Sequence, residues 1–408
     1  MEHLTGIGPA SQPWEGRILP LNYRCMLLVP LHITSPEDFS QQADTMSGME
    51  ITLEQALLLT RWFQKSQRIL PWRNTGNPYD VWLSEIMLQQ TRVEFVKERF
   101  IQFQKELPDI SALAECDDDR LMKLWEGMGY YSRARNLKKC AQAVMKDYEG
   151  VLPSDPQKLR KLPGIGPYTS GAIAAIAYGI PVPAVDGNVL RVLARLFSDP
   201  SDIRNQETRK SYESVISAFY EKHLSEAESA DPGFVSRFTQ GLMELGALVC
   251  VPNGEPHCQI CPWNSFCRAH LEQRTKDIPF RSALKQRKIV KRTVLVIRDG
   301  ERFLLKKRPE QGLLAGLYEF PGMEEWLDAE QAAAAAEELF HVLPLRIRRL
   351  PDSKHLFTHL EWDMRAYEIQ IADLSTMDTE NCLLLTEKEL AETAVPSAFK
   401  AIKAWYSL

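Results

Sequence analysis

The sequence predicts two domains of different class: a first that is all-α, and a second, of roughly 115 residues, that is α/β or α+β. Three observations carry that expectation. From Thr52 to Val249 apolar side chains recur at helical spacing, and no stretch alternates like a sheet. After Lys291 the texture changes, with Val294 to Arg298 and Arg302 to Lys306 reading as strands around an Asp299-Gly300 turn. Between the two regions lie four cysteines from Cys250 to Cys267, followed from Arg274 to Arg292 by eight Lys or Arg against the single acid Asp277.

At 408 residues and 44% hydrophobic content, the chain is long enough for two or three separate cores. A formal charge of −5 excludes an evenly basic, histone-like binder but leaves room for a local basic face. No run of apolar residues is long enough to span a membrane. The other cysteines, Cys25, Cys116, Cys140 and Cys382, are scattered, which points to a reducing, cytoplasmic setting with one metal or cluster site and not to a disulfide framework.

Taken in order, residues 1–49 carry prolines at 9, 13, 20, 30 and 36 and little helical period, so a disordered extension is expected. Met46 and Met49 just before the first helix would also suit a start called too early. Thr52 to Gln67 is amphipathic and is ended by Pro71. The segment from Val81 to Val96 is again helical, with Ser84 to Thr91 forming the end of one helix and the turn after it. Glu85 stands there among Trp82, Leu83, Ile86 and Leu88, an apolar setting that raises a carboxyl pKa towards the value a general acid needs. Gly127 and Gly129 break the next helical run, with Tyr130 and Tyr131 at the break and Arg133, Arg135, Lys138 and Lys139 crowding the helix that follows. Aromatics beside a basic cluster suit a nucleic-acid surface, and equally a packed helix junction.

Pro163-Gly164-Ile165-Gly166 forms a tight turn ahead of an apolar helix from Thr169 to Tyr178. Backbone N–H groups at that helix start are suited to an anion such as a phosphodiester. The loop beyond it carries one acid, Asp186. Helices are expected at Val189 to Leu196, Lys210 to Leu224 and Phe234 to Val249. Cys250, Cys258, Cys261 and Cys267 then have the density of a tetrathiolate site, for zinc or for an iron–sulfur cluster. In the second domain, Asp328 to Phe340 reads as a helix, His355 to Leu360 and Trp362 to Ile369 as strands, and Pro396 to Trp405 as a final helix.

Several segments together, LPWRNTGNPYDVWLSEIMLQQT, GMGYYSRARNL, LPGIGPYTSGAI, PAVDGNVLRV, the cysteine cluster and GLLAGLYEFPG, resemble the A/G-specific adenine DNA glycosylases over residues 50–408. The resemblance implies a helix-hairpin-helix glycosylase fold with an iron–sulfur cluster loop, followed by a Nudix-like domain. It divides the chain into a glycosylase region at 50–275, a basic linker at 276–290 and the Nudix-like domain at 291–408. Within the glycosylase region a six-helix barrel spans 71–177, and a cluster domain combines 50–70 with 178–275.

The implied reaction is hydrolysis of the N-glycosidic bond of adenine mispaired with 8-oxoguanine or guanine, by a monomer on double-stranded DNA. Glu85 matches the acid that protonates the leaving base, and Asp186 the carboxylate that stabilises the sugar cation. Tyr168 and Asn188 match the residues that support them. Gln89, Gln90, Thr91 and Tyr130 match residues at the wedge inserted beside the orphan base. Trp72 and Arg73 match the entrance to the base pocket, and Gly164 and Gly166 the phosphate anchor, with a monovalent cation at that hairpin. Phe357, Thr358 and His359 match the loop that reads the lesion, with Thr358 where the family has serine. The four cysteines match the ligands of one [4Fe–4S] cluster, with seven residues in the first spacing where six is usual.

Two departures carry chemistry. No lysine lies between Leu162 and Arg191, so the amine needed for strand cleavage through an imine is missing and a monofunctional enzyme is expected. Ala332 to Ala336 precede Glu337 and Glu338 without the acidic pattern of a true Nudix hydrolase, so no nucleotide hydrolysis is expected. The rival readings are a glycosylase of the same fold acting on thymine or uracil opposite guanine or on an oxidised pyrimidine, and a non-catalytic lesion-binding protein.

Overall fold

A computed structural model describes residues 48–283, 286–375 and 381–408. The expectation for residues 1–49 therefore lies, apart from Gly48 and Met49, outside the described residues. The helical part runs α1 (Leu53–Ser66), α2 (Pro78–Leu88), α3 (Val93–Glu106), α4 (Ile110–Glu115), α5 (Asp118–Leu124), α6 (Ser132–Tyr148), α7 (Pro156–Leu159), α8 (Pro167–Tyr178), α9 (Gly187–Phe197), α10 (Gln206–Ala230), α11 (Phe234–Leu248) and α12 (Arg268–Leu271). Capping explains several starts. Thr52 and Gln55 form a reciprocal capping box at α1, while Asn77 caps α2 just before Pro78 in its first turn. α1 stops at Ser66, ahead of Pro71, and α10 extends beyond both ends of the expected helix because Thr208, Tyr212, Ile216, Phe219, Tyr220 and Ala227 keep one face buried.

Two apolar cores organise these helices. One gathers Trp82, Phe100, Phe103, Trp125 and Leu137 with residues from Leu70 to Ala174. The other joins Ile51, Ala56 and Leu59 of the first segment to residues from Ala175 to Ile278, including Phe219, Phe234, Phe238 and Trp263. The α8 helix lies where they meet. Gly171 is required on it, since a Cβ there would stand 2.3 Å from the carbonyl oxygen of Pro183. That close approach brings the 179–186 loop, and so Asp186, back against α8.

The second domain comprises β1 (Lys288–Arg298), β2 (Arg302–Lys307), β3 (Tyr318–Glu319), β4 (Gly322–Met323), α13 (Ala329–Phe340), β5 (Arg346–Leu356), β6 (Leu360–Gln370), β7 (Cys382–Thr386), α14 (Glu387–Glu392) and α15 (Lys400–Trp405). The strand order is β3-β2-β1-β6-β5, with β4 paired to β1 and β7 to β2. The expected β1–β2 turn is present, held by Asp299, whose carboxylate accepts from the Arg302 N–H at 2.8 Å. The main partner of β1 is nevertheless β6, paired in parallel from Lys288↔Leu360 to Arg298↔Gln370. Val294 and Val296 face one core, with Phe399 and Ile402, and Leu295 and Ile297 face another, with Ala332 and Ala336 of α13. A strand covered on both faces reads as a continuous apolar run, which is what this stretch shows.

Three expectations change. The strand drawn through His355 to Leu360 ends at Leu356, and Phe357–His359 turn the chain into β6. The whole of β5 is a mostly exposed edge strand, RIRRLPDSKHL, whose basic composition hid it. The basic run is only partly a tether: β1 begins at Lys288, and Arg292 is buried inside the sheet domain.

The cluster loop is also corrected. Among the described residues no group of three or more His, Cys, Asp or Glu is placed to hold a metal ion, so the iron–sulfur element of the expected fold, the [4Fe–4S] cofactor and the ligand roles of Cys250, Cys258, Cys261 and Cys267 are withdrawn. The four residues do border one cavity of about 20 Å3. Two of the sulfurs meet Arg195: its guanidinium donates to Cys250 Sγ at 3.3 Å, and Cys267 Sγ donates to its carbonyl at 3.3 Å. Burial pushes the Cys261 and Cys267 thiols up to about 12 and about 11. Among the described residues no helix is long and apolar enough to cross a membrane.

Candidate active site

Glu85 sits on α2, 9% exposed, in a helix whose residues from Tyr79 to Met87 are all buried. One polar contact reaches it from the facing helix: the Tyr168 hydroxyl of α8 donates to Glu85 Oε2 at 2.5 Å. Burial pushes the Glu85 carboxyl up to about 7; the Tyr168 hydrogen bond opposes this, the negative charge of Asp186 adds to it, and the positive charge of Arg73 subtracts. The second acid is held differently. Asp186 caps α9, with Oδ1 accepting from the Val189 N–H at 2.8 Å and Oδ2 accepting from Asn188 Nδ2 at 2.7 Å. Burial raises its carboxyl too, against the pull of those hydrogen bonds and of Arg191. Two donors on Asp186 against one on Glu85 make Asp186 the group that gives up its proton first, with Glu85 keeping one to near neutrality. Glu85, Tyr168, Asp186 and Asn188 thus form one constellation.

A chain of contacts fixes the Asn188 amide. Arg191 Nη2 donates to Asn188 Oδ1 at 2.9 Å and to the Gly246 carbonyl at 2.7 Å, which leaves the amide N–H2 aimed at Asp186. Glycine is needed at 246, because a Cβ would lie 2.5 Å from Asn188 Cβ.

Just past the C-terminal end of α2, Gln90 is exposed and has φ +59°, and Tyr130 is 45% exposed with φ +47°. Left-handed backbone at two non-glycine residues is strain that the surroundings must hold. Arg133 holds it. Its guanidinium, buried on α6, donates to the carbonyls of Ile86 and Gln89 at 2.7 Å, and to those of Met128 and Gly129 at 2.7 and 3.1 Å. The sequence leaves Arg133 between a nucleic-acid surface and a packed helix junction; the structure puts it underneath, where it fastens the Gln89–Thr91 turn to the Tyr130 turn. Thr91 Oγ1 joins the same network, accepting from Arg133 Nη2 at 3.4 Å. Arg135 also leaves the surface, donating to the Ala315 carbonyl of the second domain at 2.8 Å.

Gln90 and Tyr130 open onto a cleft of about 720 Å3 shared with the second domain, where Phe357, Thr358 and His359 form the opposite wall. The Tyr130 and Thr358 hydroxyls are hydrogen-bonded across it. Phe357 stacks edge-on against Trp362 at 4.9 Å and His355 at 4.6 Å. Behind that wall, Glu319 accepts from Arg292 and Arg308 at 2.7 and 2.6 Å, and Arg308 Nε anchors the Leu313 carbonyl at 2.8 Å. The hairpin faces its own part of α6: Gly164 has φ +76°, and a Cβ there would stand 2.7 Å from Asn136 Cβ. Gly166 caps α8.

Two expected residues sit deeper than an entrance. Trp72 is buried in the first core against Phe100, and Arg73 is tied to Glu244 of α11. Glu337 and Glu338 of α13 are exposed, while Ala332 and Ala336 pack on the sheet.

Residues 83–218 match the HhH-GPD superfamily of base excision DNA repair proteins, and residues 293–405 match the NUDIX domain. Over 410 residues the chain is 31% identical to an adenine DNA glycosylase of Mus musculus, covering 85% of this chain and 77% of that one. The chain belongs to the adenine DNA glycosylase family. A relative of the same name from Arabidopsis thaliana is 37% identical over 305 residues, a match that covers 65% of this chain and 46% of that one. Among solved structures, a thermostable thymine-DNA glycosylase is 26% identical with a TM-score of 0.45, covering 54% of this chain and 97% of that one.

Residues missed in the sequence are mostly arginines and their acceptors: Arg133, Arg191 and Glu244. In a linear chain each reads as surface charge, and only apolar neighbours at helical spacing could have signalled burial.

The raised carboxyl of Glu85 has a thermodynamic consequence. Its proton is bound more tightly in the folded chain than in the unfolded one, so no penalty exists below the ordinary glutamate value of 4.5, and the full penalty is reached above about 7. That penalty is on the order of 3 kcal/mol. Glu85→Gln is therefore expected to be more stable than the parent at alkaline pH, with the gain shrinking towards pH 4.5. Urea denaturation across that range checks it, and a pH-independent difference contradicts the assigned burial effect.

Proposed function

We propose that this adenine DNA glycosylase of base excision repair removes adenine mispaired with 8-oxoguanine or guanine, acting as a monomer and without cutting the strand. The observation that carries the reading is the paired environment of the two acids: Glu85, buried with a pKa of about 7 under the Tyr168 hydroxyl, and Asp186, beside it and held by two N–H donors.

Cleavage of an N-glycosidic bond passes through an oxocarbenium-like state, which needs a proton on the leaving base and negative charge beside the sugar. Glu85 is the proton donor, since an acid poised near neutral pH is both loaded and able to give its proton up. Asp186 faces the sugar cation, and the Asn188 amide, fixed by Arg191, keeps its carboxylate in place. Adenine must first leave the stack, at a cost of a few kcal/mol. Gln90 and Tyr130, on strained turns fastened by Arg133, fill the gap. The opposing purine enters the cleft against Phe357, Thr358 and His359, where the Thr358 hydroxyl, now shared with Tyr130, becomes free to bond the lesion. The N–H groups at Gly164, Gly166 and the start of α8 hold a backbone phosphate. With Tyr168 following the hairpin and no lysine between Leu162 and Arg191, this stretch lacks the amine for an imine, so the expected product is an intact abasic strand.

Single-turnover assays on duplexes carrying A opposite 8-oxoguanine, A opposite G, T opposite G and thymine glycol test the reading, with products separated before and after alkali. Adenine release that needs alkali to break the strand is the expected result; preference for T opposite G or for thymine glycol contradicts it. Because Glu85 must be protonated, the rate is expected to be level below about pH 7 and to fall about tenfold per unit above it. Glu85→Gln is expected to lower the rate at least ~100-fold while lesion binding persists. Thr358→Ala is expected to reduce the preference for 8-oxoguanine over guanine by roughly tenfold, the worth of one hydrogen bond, with adenine release from A opposite G little changed. Equal losses on both substrates would remove Thr358 from lesion reading.

A further inference from the structure

Glu244 of α11 is 1% exposed and carries more polar contacts than any role assigned so far requires. Arg68 donates to it three times, through its backbone N–H at 2.9 Å, Nε at 3.0 Å and Nη2 at 2.7 Å. Arg73 donates twice, through Nη1 at 3.0 Å and Nη2 at 2.6 Å, and spends a further N–H on the Arg68 carbonyl at 2.9 Å. Burial would raise the Glu244 carboxyl, but these hydrogen bonds overcome it and hold the group down at about 2, so it stays ionised. The Arg73 guanidinium lies over the Phe63 ring at 5.2 Å, closed in from the other side. The neighbouring Met243 touches the Tyr168 hydroxyl at 3.9 Å, which places this turn of α11 at the edge of the Glu85 site.

We propose that Glu244 is a positioning residue for base release, pinning Arg73 so that one fixed positive charge stands beside the proton-donating Glu85. The inference rests on the proposed role of Glu85. The charged and titratable groups that act on Glu85 are Tyr168 of α8, Asp186 ahead of α9 and Arg73 ahead of α2. Arg209 of α10 bears on the neighbouring Tyr168. Burial sets most of the rise at Glu85; on top of it Asp186 favours the protonated acid and Arg73 the ionised one, so a change in the net charge of the arginine group shifts where Glu85 titrates. Two arginines and one glutamate carry a net charge of +1. Deleting the glutamate leaves +2, and deleting Arg68 leaves none.

The full chain is assayed for single-turnover adenine release from the duplex with A opposite 8-oxoguanine, from acid to alkaline pH. Glu244→Gln is expected to move the alkaline fall in rate to lower pH, by roughly half a unit to one unit. Arg68→Gln is expected to move it the other way, and the double variant Arg68→Gln/Glu244→Gln to return it close to the parent position. A purely structural role lowers rates without opposite shifts, so an alkaline limb that stays put in all three variants overturns the inference. Should Glu244→Gln fail to fold, the upward shift in Arg68→Gln still decides. A parent chain that releases adenine separates this failure from failure of the functional reading; a parent that releases none removes both.

Discussion

The hydrogen bond from Tyr168 to Glu85 is short and, among the described residues, the one side-chain donor on that carboxyl, and the proposed chemistry depends on its being alone. A second donor on that carboxyl would stabilise the ionised form and drop its pKa towards the usual carboxylate range. None would leave a buried acid free to turn. One donor, in an apolar helix surface, orients the group and leaves its proton available. The neighbouring Asp186 has the opposite design, a helix cap with an amide beside it, and the proposed division of labour rests on the contrast between the two environments.

The remainder of the helical part can be understood as support for that contrast. Gly171 lets the loop carrying Asp186 close onto α8, and Gly246 lets α11 close onto Asn188. Arg191 and Arg133 each satisfy several backbone carbonyls at helix ends, and in doing so fix side chains they do not resemble in function: one the amide beside Asp186, the other the Gln90 and Tyr130 turns. Buried guanidinium groups suit this work because their donors are several, planar and permanently charged. The second domain uses the same device around Glu319 to back the wall that holds Phe357.

Much of this was legible in the chain. Helical spacing marked the helices, the Asp299-Gly300 pair marked its turn, and Glu85 drew notice because a carboxylate stood in apolar company. The motif segments singled out Glu85, Asp186, the Pro163–Gly166 hairpin and the Phe357–His359 loop. What stayed hidden depends on contacts between residues far apart in sequence. The resemblance assigns Arg73 to the entrance, and its ion pair with Glu244, 171 positions away, leaves no local signal. The part of strand β5 before His355 carried no strand signal, because an edge strand with one solvated side has no apolar pattern to show. The cysteine density suggested a metal site, yet among the described residues the sulfurs make contacts with α9 and form no metal-binding group.

The central claim, that a buried carboxyl on α2 still carries its proton near neutral pH, can be measured without DNA. Isotope-edited infrared titration of side-chain carboxyls, comparing the parent chain with Glu85→Gln, isolates the signal of that one group. A carboxyl band that disappears near pH 7 and is missing from the variant is the predicted result. A Glu85 signal titrating at the ordinary value of 4.5 would mean that water or a second donor reaches the group, and would contradict the account.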